Sequence, residues 1–103
     1  MMSEYDNQTK VFMAFCDAHR LQIMERLRGG EKCACDLLEG LNINQSSLSY
    51  HMKKLCESGI VESRQEGKWT HYKISNKGSA KAIELLKAIT TSNTTAENCC
   101  CEK

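Results

Sequence analysis

Apolar residues recur along this chain with two different periods, and the switch between them outlines its architecture. Val11, Phe12 and Phe15 fall at helical spacing and predict a short first helix behind a loose polar N-terminus. Asp17 can cap a second helix whose apolar side is Leu21, Ile23, Met24 and Leu27, with Gly29-Gly30 closing it. Cys35, Leu37, Leu38 and Leu41 make a brief third helix, and Asn42-Ile43 turn out of it. Asn44 then opens a fourth. Ile43 can staple onto Leu48, and Leu48, Met52 and Leu55 continue one apolar stripe at i, i+4, i+7. Ser46, Ser49, Tyr50, Lys53, Lys54 and Glu57 fall mainly on the other side, and Gly59 ends the helix.

From residue 60 to 75 the period drops to two. Gly67-Lys68 separates two strand-like runs, and Thr70, Tyr72 and Ile74 alternate with Trp69, His71 and Lys73, the pattern of a half-exposed hairpin. Asn76 can cap a last helix with Ala82, Ile83, Leu85, Leu86 and Ile89 on one stripe. A domain this small has little left to cover that stripe, which predicts a dimer interface. The expected fold class is mainly α with a small β-hairpin (α+β): a winged helix-turn-helix, homodimeric. Residues 1–91 are expected to form one domain, DNA-binding and sensing if its charge and thiols agree, and 92–103 a flexible Cys-rich tail.

Charge localises the partner. The 103 residues carry 14 Lys+Arg and 13 Asp+Glu, so the chain is no bulk polycation. Residues 44 to 78, however, hold 6 basic and 3 acidic side chains, and this third is the expected nucleic-acid face. No apolar run approaches the roughly 20 residues of a membrane helix. Seven cysteines with no apolar signal segment predict a reducing, cytoplasmic setting, where clustered thiols bind metals or react more often than they pair.

Cys33 and Cys35 stand two residues apart at the mouth of the third helix, and thiolates select thiophilic ions. On a regular helix such residues diverge by about 200°, so sharing one ion requires a distorted first turn. A helix N-terminus is expected to lower both thiol pKa values. No Cys-x-x-Cys, Ser/His/Asp triad or carboxylate pair suggests an enzyme.

Three stretches jointly carry a resemblance: Glu31-Lys32-Cys33-Ala34-Cys35-Asp36-Leu37, Gln45-Ser46-Ser47-Leu48-Ser49-Tyr50-His51-Met52-Lys53-Lys54-Leu55, and Gln65-Glu66-Gly67-Lys68-Trp69-Thr70-His71-Tyr72-Lys73-Ile74. They resemble the thiol motif, recognition helix and wing of the ArsR/SmtB family of metal- and metalloid-responsive repressors, over roughly residues 10 to 90. Phe15-Cys16-Asp17-Ala18-His19-Arg20-Leu21 resembles a fourth, weaker signature, with Ala18 where proline or glutamate is frequent. The resemblance implies a cytoplasmic, dimeric repressor that holds double-stranded operator DNA when metal-free and releases it on binding As(III) or Sb(III).

Gln45, Ser46, Ser47, Ser49 and Tyr50 are the expected DNA-reading residues, with Lys53, Arg64 and Lys68 on phosphates. His51 is expected to be structural, and Trp69 and His71 to pack across the hairpin or touch DNA. In the arsenic-sensing branch a third cysteine often follows the pair by three residues, where this chain has Leu38. Cys99, Cys100 or Cys101 of the tail is the first choice for the third ligand, with Cys16 and Cys56 as rivals. Cadmium-sensing members usually add cysteines from the N-terminal segment, and none precedes Cys16, which favours arsenic. The alternatives are a Cd(II)/Pb(II)- or thiol-redox-responsive repressor of the same fold and, further off, a thiol-based metal carrier. The family's other site, built from His, Asp and Glu on the last helix, is expected to be absent, since residues 80 to 96 contain neither His nor Asp.

Overall fold

The computed structural model describes residues 3–93; Cys99, Cys100, Cys101 and most of the expected tail lie outside them. Among the described residues are five helices and a three-stranded antiparallel sheet: α1 (Glu4–Met13), α2 (Ala18–Leu27), β1 (Lys32–Cys33), α3 (Ala34–Glu39), α4 (Gln45–Glu57), β2 (Val61–Glu66), β3 (Trp69–Ile74) and α5 (Asn76–Thr90). The strand order is β1-β3-β2. This is a winged helix-turn-helix, with α3 and α4 as the paired helices and β2–β3 as the wing.

Local chemistry explains most boundaries. From Ser3 onward the chain is not loose, because Ser3 and Asp6 form a reciprocal capping box: the Ser3 hydroxyl accepts the Asp6 N–H at 3.1 Å and the Asp6 carboxylate accepts the Ser3 N–H at 3.2 Å. Asp17 caps α2 by accepting the His19 N–H at 2.7 Å. Asn44 caps α4 through the Ser47 N–H at 2.8 Å. Between β2 and β3 the chain reverses in two residues, and Gly67 takes the positive φ of 63° that this turn requires. The cap of α5 is Ser75 rather than Asn76. Its buried hydroxyl accepts the Gly78 N–H at 3.0 Å, while its own N–H donates to the Ile60 carbonyl at 2.8 Å.

One apolar core joins these parts. Ala14, Ile23, Leu27, Leu37, Leu48, Met52, Leu55, Ile60 and Val61 are almost fully buried, so α2, α3, α4 and the start of the wing share a single interior. Cutting a leucine such as Leu55 to alanine there costs about 2–5 kcal/mol. The first turn of α5 is pinned by backbone: a Cβ on Gly78 would sit 1.7 Å from the Gly59 carbonyl oxygen. Further along α5, Ile83 (64% exposed), Leu86 and Ile89 face outward, as does Tyr5 of α1. No helix among the described residues is long and apolar enough to cross a membrane.

Candidate functional site

The thiol pair sits where the wing meets the helix-turn-helix. Cys33 belongs to β1, pairing with His71 of β3, and is at the same time the N-cap of α3. Its extended backbone (φ −81°, ψ 162°) takes it off the helical path. The divergence expected of two positions on one helix therefore does not arise, and the two sulfurs lie 2.7 Å apart. The Asp36 N–H points at Cys33 Sγ from 3.4 Å, so a sulfur occupies the place of a capping oxygen. With the Asp36 carboxylate they form a group whose ligand atoms all lie within 4.8 Å of one another; neither Cys16 nor Cys56 joins it. The expected lowering of both thiol pKa values fails for Cys35: its contact with Cys33, then desolvation, and the charges of Cys33 and Asp36 raise it. A ligand that bonds the Cys35 sulfur has to displace its proton.

Cys16 is exposed, its thiol donating to the Phe12 carbonyl at 3.2 Å. Cys56 is half-buried, and burial pushes its thiol pKa up.

On α4, Gln45, Ser46, Ser49, Tyr50 and Lys53 are exposed opposite the buried Leu48, Met52 and Leu55, while Ser47 is half-buried against its cap. Lys54 Nζ lies 5.5 Å from the centre of the Tyr50 ring. At the hairpin turn Lys68 is exposed. Arg64, expected to meet phosphate, is held by Glu31 at 2.6 Å and Glu66 at 3.1 Å, and His71 stands 3.5 Å and 3.4 Å from the same two carboxylates. The Arg64 guanidinium, by direct hydrogen bonding, pulls the Glu31 carboxyl below its usual range. Glu31 thus ties the residues leading into Cys33 to the wing, and Trp69 at the wing's end is 54% exposed.

A second group of metal-capable side chains, Asp17, His19 and His51, also has its ligand atoms within 4.8 Å of one another. Its chemistry is different. Arg20, 4% exposed, donates from one guanidinium nitrogen to His51 Nδ1 at 2.8 Å and from Nε to the Met13 carbonyl at 3.2 Å. Arginine only donates, so His51 Nδ1 accepts and neutral His51 carries its proton on Nε2, 3.9 Å from Asp17. Burial, and the charges of Arg20 and His19, hold His51 below its ordinary pKa of 6.5 against the opposing pull of Asp17. A cation at Nε2 would force the proton onto Nδ1, against an Arg20 N–H. This cluster is a lock between α2 and α4, and its signal in the sequence is Arg20, a charge on the buried Arg20, Ile23, Leu27 stripe.

A family profile described as bacterial regulatory protein, arsR family, matches residues 17–63, from the cap of α2 to the first strand of the wing. Over 98 residues the chain is 35% identical to the arsenical resistance operon repressor of Staphylococcus aureus, spanning 95% of this chain and 91% of that one. The chain belongs to the ArsR family. ArsR-family folds match it well: a crystal structure of an ArsR family transcriptional regulator superposes with a TM-score of 0.73 at 21% identity, covering 86% of this chain and 91% of the other. The homodimeric winged helix-turn-helix domain of a possible ArsR-family regulator from Mycobacterium bovis, solved in solution, gives a TM-score of 0.67 at 24% identity over 92% and 93%. Membership makes this chain a DNA-binding transcriptional repressor and not an enzyme.

Proposed function

We propose that this ArsR-family repressor senses trivalent arsenic or antimony through Cys33 and Cys35 and gives up operator DNA when they are engaged. The observation that carries the reading is the pair itself: two sulfurs 2.7 Å apart, one held in a strand against β3, the other on α3. With As(OH)3 each thiol gives its proton to a departing hydroxyl as water while sulfur bonds arsenic, and no oxidant is needed. Opening the two sulfurs to admit arsenic moves Cys33, hence β1 and the wing, and moves α3 beneath the recognition helix. A coupling of about 1–3 kcal/mol, roughly 5–150-fold in affinity, is typical of such linkage. The 35% identity to an arsenical resistance operon repressor supports the effector class.

Two copies joined through the exposed apolar side of α5 and α1 would present two α4 helices to major-groove half-sites about one turn apart. Gln45, Ser46, Ser47, Ser49 and Tyr50 then face base edges, and Lys53 and Lys68 phosphates. Arg64 joins them when its carboxylates release it. Cys99, Cys100 and Cys101 stay the first choice for a third sulfur, ahead of Cys16 and Cys56. A gel-shift titration on the upstream promoter tests this with arsenite, antimonite, Cd²⁺, Pb²⁺ and peroxide. Release by arsenite and antimonite that is lost in Cys33→Ser is expected; normal arsenite release by Cys33→Ser would sink the assignment, and release by Cd²⁺ or Pb²⁺ alone would change the effector.

A further inference from the structure

Strand pairing puts the thiol pair and the wing on one line. Cys33 of β1 lies opposite His71 of β3, and His71 lies opposite Arg64 of β2, so the three form a single rung across the sheet. Paired residues of an antiparallel sheet carry their side chains on the same face, and neighbouring strands are about 5 Å apart, which leaves two strand spacings between the sensor thiol and a wing arginine. Arg64 is held on that face by two carboxylates, Glu31 at 2.6 Å and Glu66 at 3.1 Å. They are not equivalent. Glu66 stands two residues from Arg64 on the same strand and travels with it, whereas Glu31 reaches in from 33 positions away, two residues ahead of Cys33. His71 Nδ1 is 3.5 Å from Glu31, so the imidazole of the middle strand backs the same carboxylate. A guanidinium offers a carboxylate and a phosphate the same fork of donors, and the Arg64 side chain is more than half exposed.

We propose that Glu31 is a positioning residue that carries the state of Cys33 to the wing, its carboxylate competing with an operator phosphate for Arg64. The proposal rests on the thiol pair being the inducer site. Without inducer, β1 is a two-residue strand and Glu31 gives up Arg64 to the phosphate at small cost, because an exposed ion pair is worth little. An inducer that joins Cys33 to Cys35 ties β1 to the first turn of α3. The segment that carries Glu31 then has less freedom left to lose on holding Arg64, and a pre-organised carboxylate competes better. Arg64 stays on Glu31, and the wing loses a phosphate contact at the moment the recognition helix is disturbed.

A double-mutant cycle on the full chain tests the exchange, with Kd for labelled upstream promoter DNA measured with and without sodium arsenite. Glu31→Gln keeps the shape and removes the charge. It should tighten inducer-free binding about two- to fivefold for each wing engaged, the weight of one exposed ion pair, and reduce the ratio of the two Kd values by a similar factor. Arg64→Ala should weaken inducer-free binding and reduce the same ratio. In the Arg64→Ala chain, Glu31→Gln should then change neither quantity, since the carboxylate has nothing left to withhold. A side chain that merely steadied the fold would lower the melting midpoint and leave the ratio alone; melting of all four chains reads that directly, and Glu31→Ala replaces Glu31→Gln should the latter not fold. The exchange is overturned if Glu31→Gln leaves inducer-free affinity and the ratio as in the wild type, or if its effect is as large without Arg64 as with it. An undiminished arsenite ratio in Cys33→Ser would instead overturn the thiol-pair reading beneath it, while the inducer-free half of the cycle still judges the competition for Arg64.

Discussion

Among the described residues, two groups of metal-capable side chains border α4, and only one of them is held by an arginine. Cys33, Cys35 and Asp36 and the trio Asp17, His19 and His51 gather their ligand atoms equally tightly, within 4.8 Å. The first leaves its sulfurs with each other and one weak backbone donor; the second has its buried imidazole lone pair taken by Arg20. Ligand type and proximity thus do not make two groups alike: what already occupies the lone pairs separates an open thiol pair from a strut.

The sharpest way to break this contrast is to remove the thiols. Cys33→Ser/Cys35→Ser should lose Cd²⁺ and arsenite binding at the first cluster, and no Zn²⁺ or Co²⁺ should move to Asp17, His19 and His51, as calorimetry and Co²⁺ absorption would report; Co²⁺ bands from a histidine site would refute the lock. Next in size is Arg20→Met. It leaves His51 Nδ1 and the Met13 carbonyl without their donor, at about 1–3 kcal/mol for the one buried group left unpaired, His51 Nδ1. In a domain of this length the melting midpoint falls about 4–8 °C per kcal/mol. Added to the double-serine chain, Arg20→Met should also create weak Co²⁺ binding, because His51 is then free to change tautomer.

A smaller effect is the pH dependence of stability. The pKa of His51 is lowered in the fold, so the unfolded chain binds the extra proton first: stability is full above about 6.5 and declines as pH falls through the lowered value, with a slope bounded by one proton. Asp17, also lowered, acts in the same direction at more acid pH: desolvation raises it, but the His19 N–H and the charges of His51 and Arg20 outweigh that. Melting curves from pH 7.5 to 5 should slope for the wild type and flatten for His51→Gln, measured as the drop from each chain's own pH 7.5 value. The slightest change is expected from Glu31→Ala. Removing one of the two carboxylates on Arg64, with Glu66 still in place, should leave the melting midpoint unchanged and steepen the salt dependence of promoter binding by at most about 0.9, one added phosphate contact.

Much of this was legible beforehand. The caps at Asp17 and Asn44, the Leu48-Met52-Leu55 stripe and the two-residue turn at Gly67 each rest on interactions within a few residues, which a single sequence displays. The capping box at Ser3 and Asp6 is equally local, but the polar run between it and Val11 has no apolar period to mark it as helix. β1 was not legible: two residues have no period, and Lys32–Cys33 is a strand only because β3 is alongside. That pairing is what sets the Cys33 backbone and brings the sulfurs together. The hold of Glu31 on Arg64 and the grip of Arg20 on His51 span 33 and 31 positions, beyond any spacing rule.

The contact of Gly78 with the Gly59 carbonyl has a consequence for measurement of DNA. With only main chain between the end of α4 and the start of α5 at this contact, no rotamer intervenes there between α4 and the helix left with an uncovered apolar side. In a symmetric pair the separation of the two reading helices is then a ruler graduated in peptide units, and a single methyl at position 78 would alter its length.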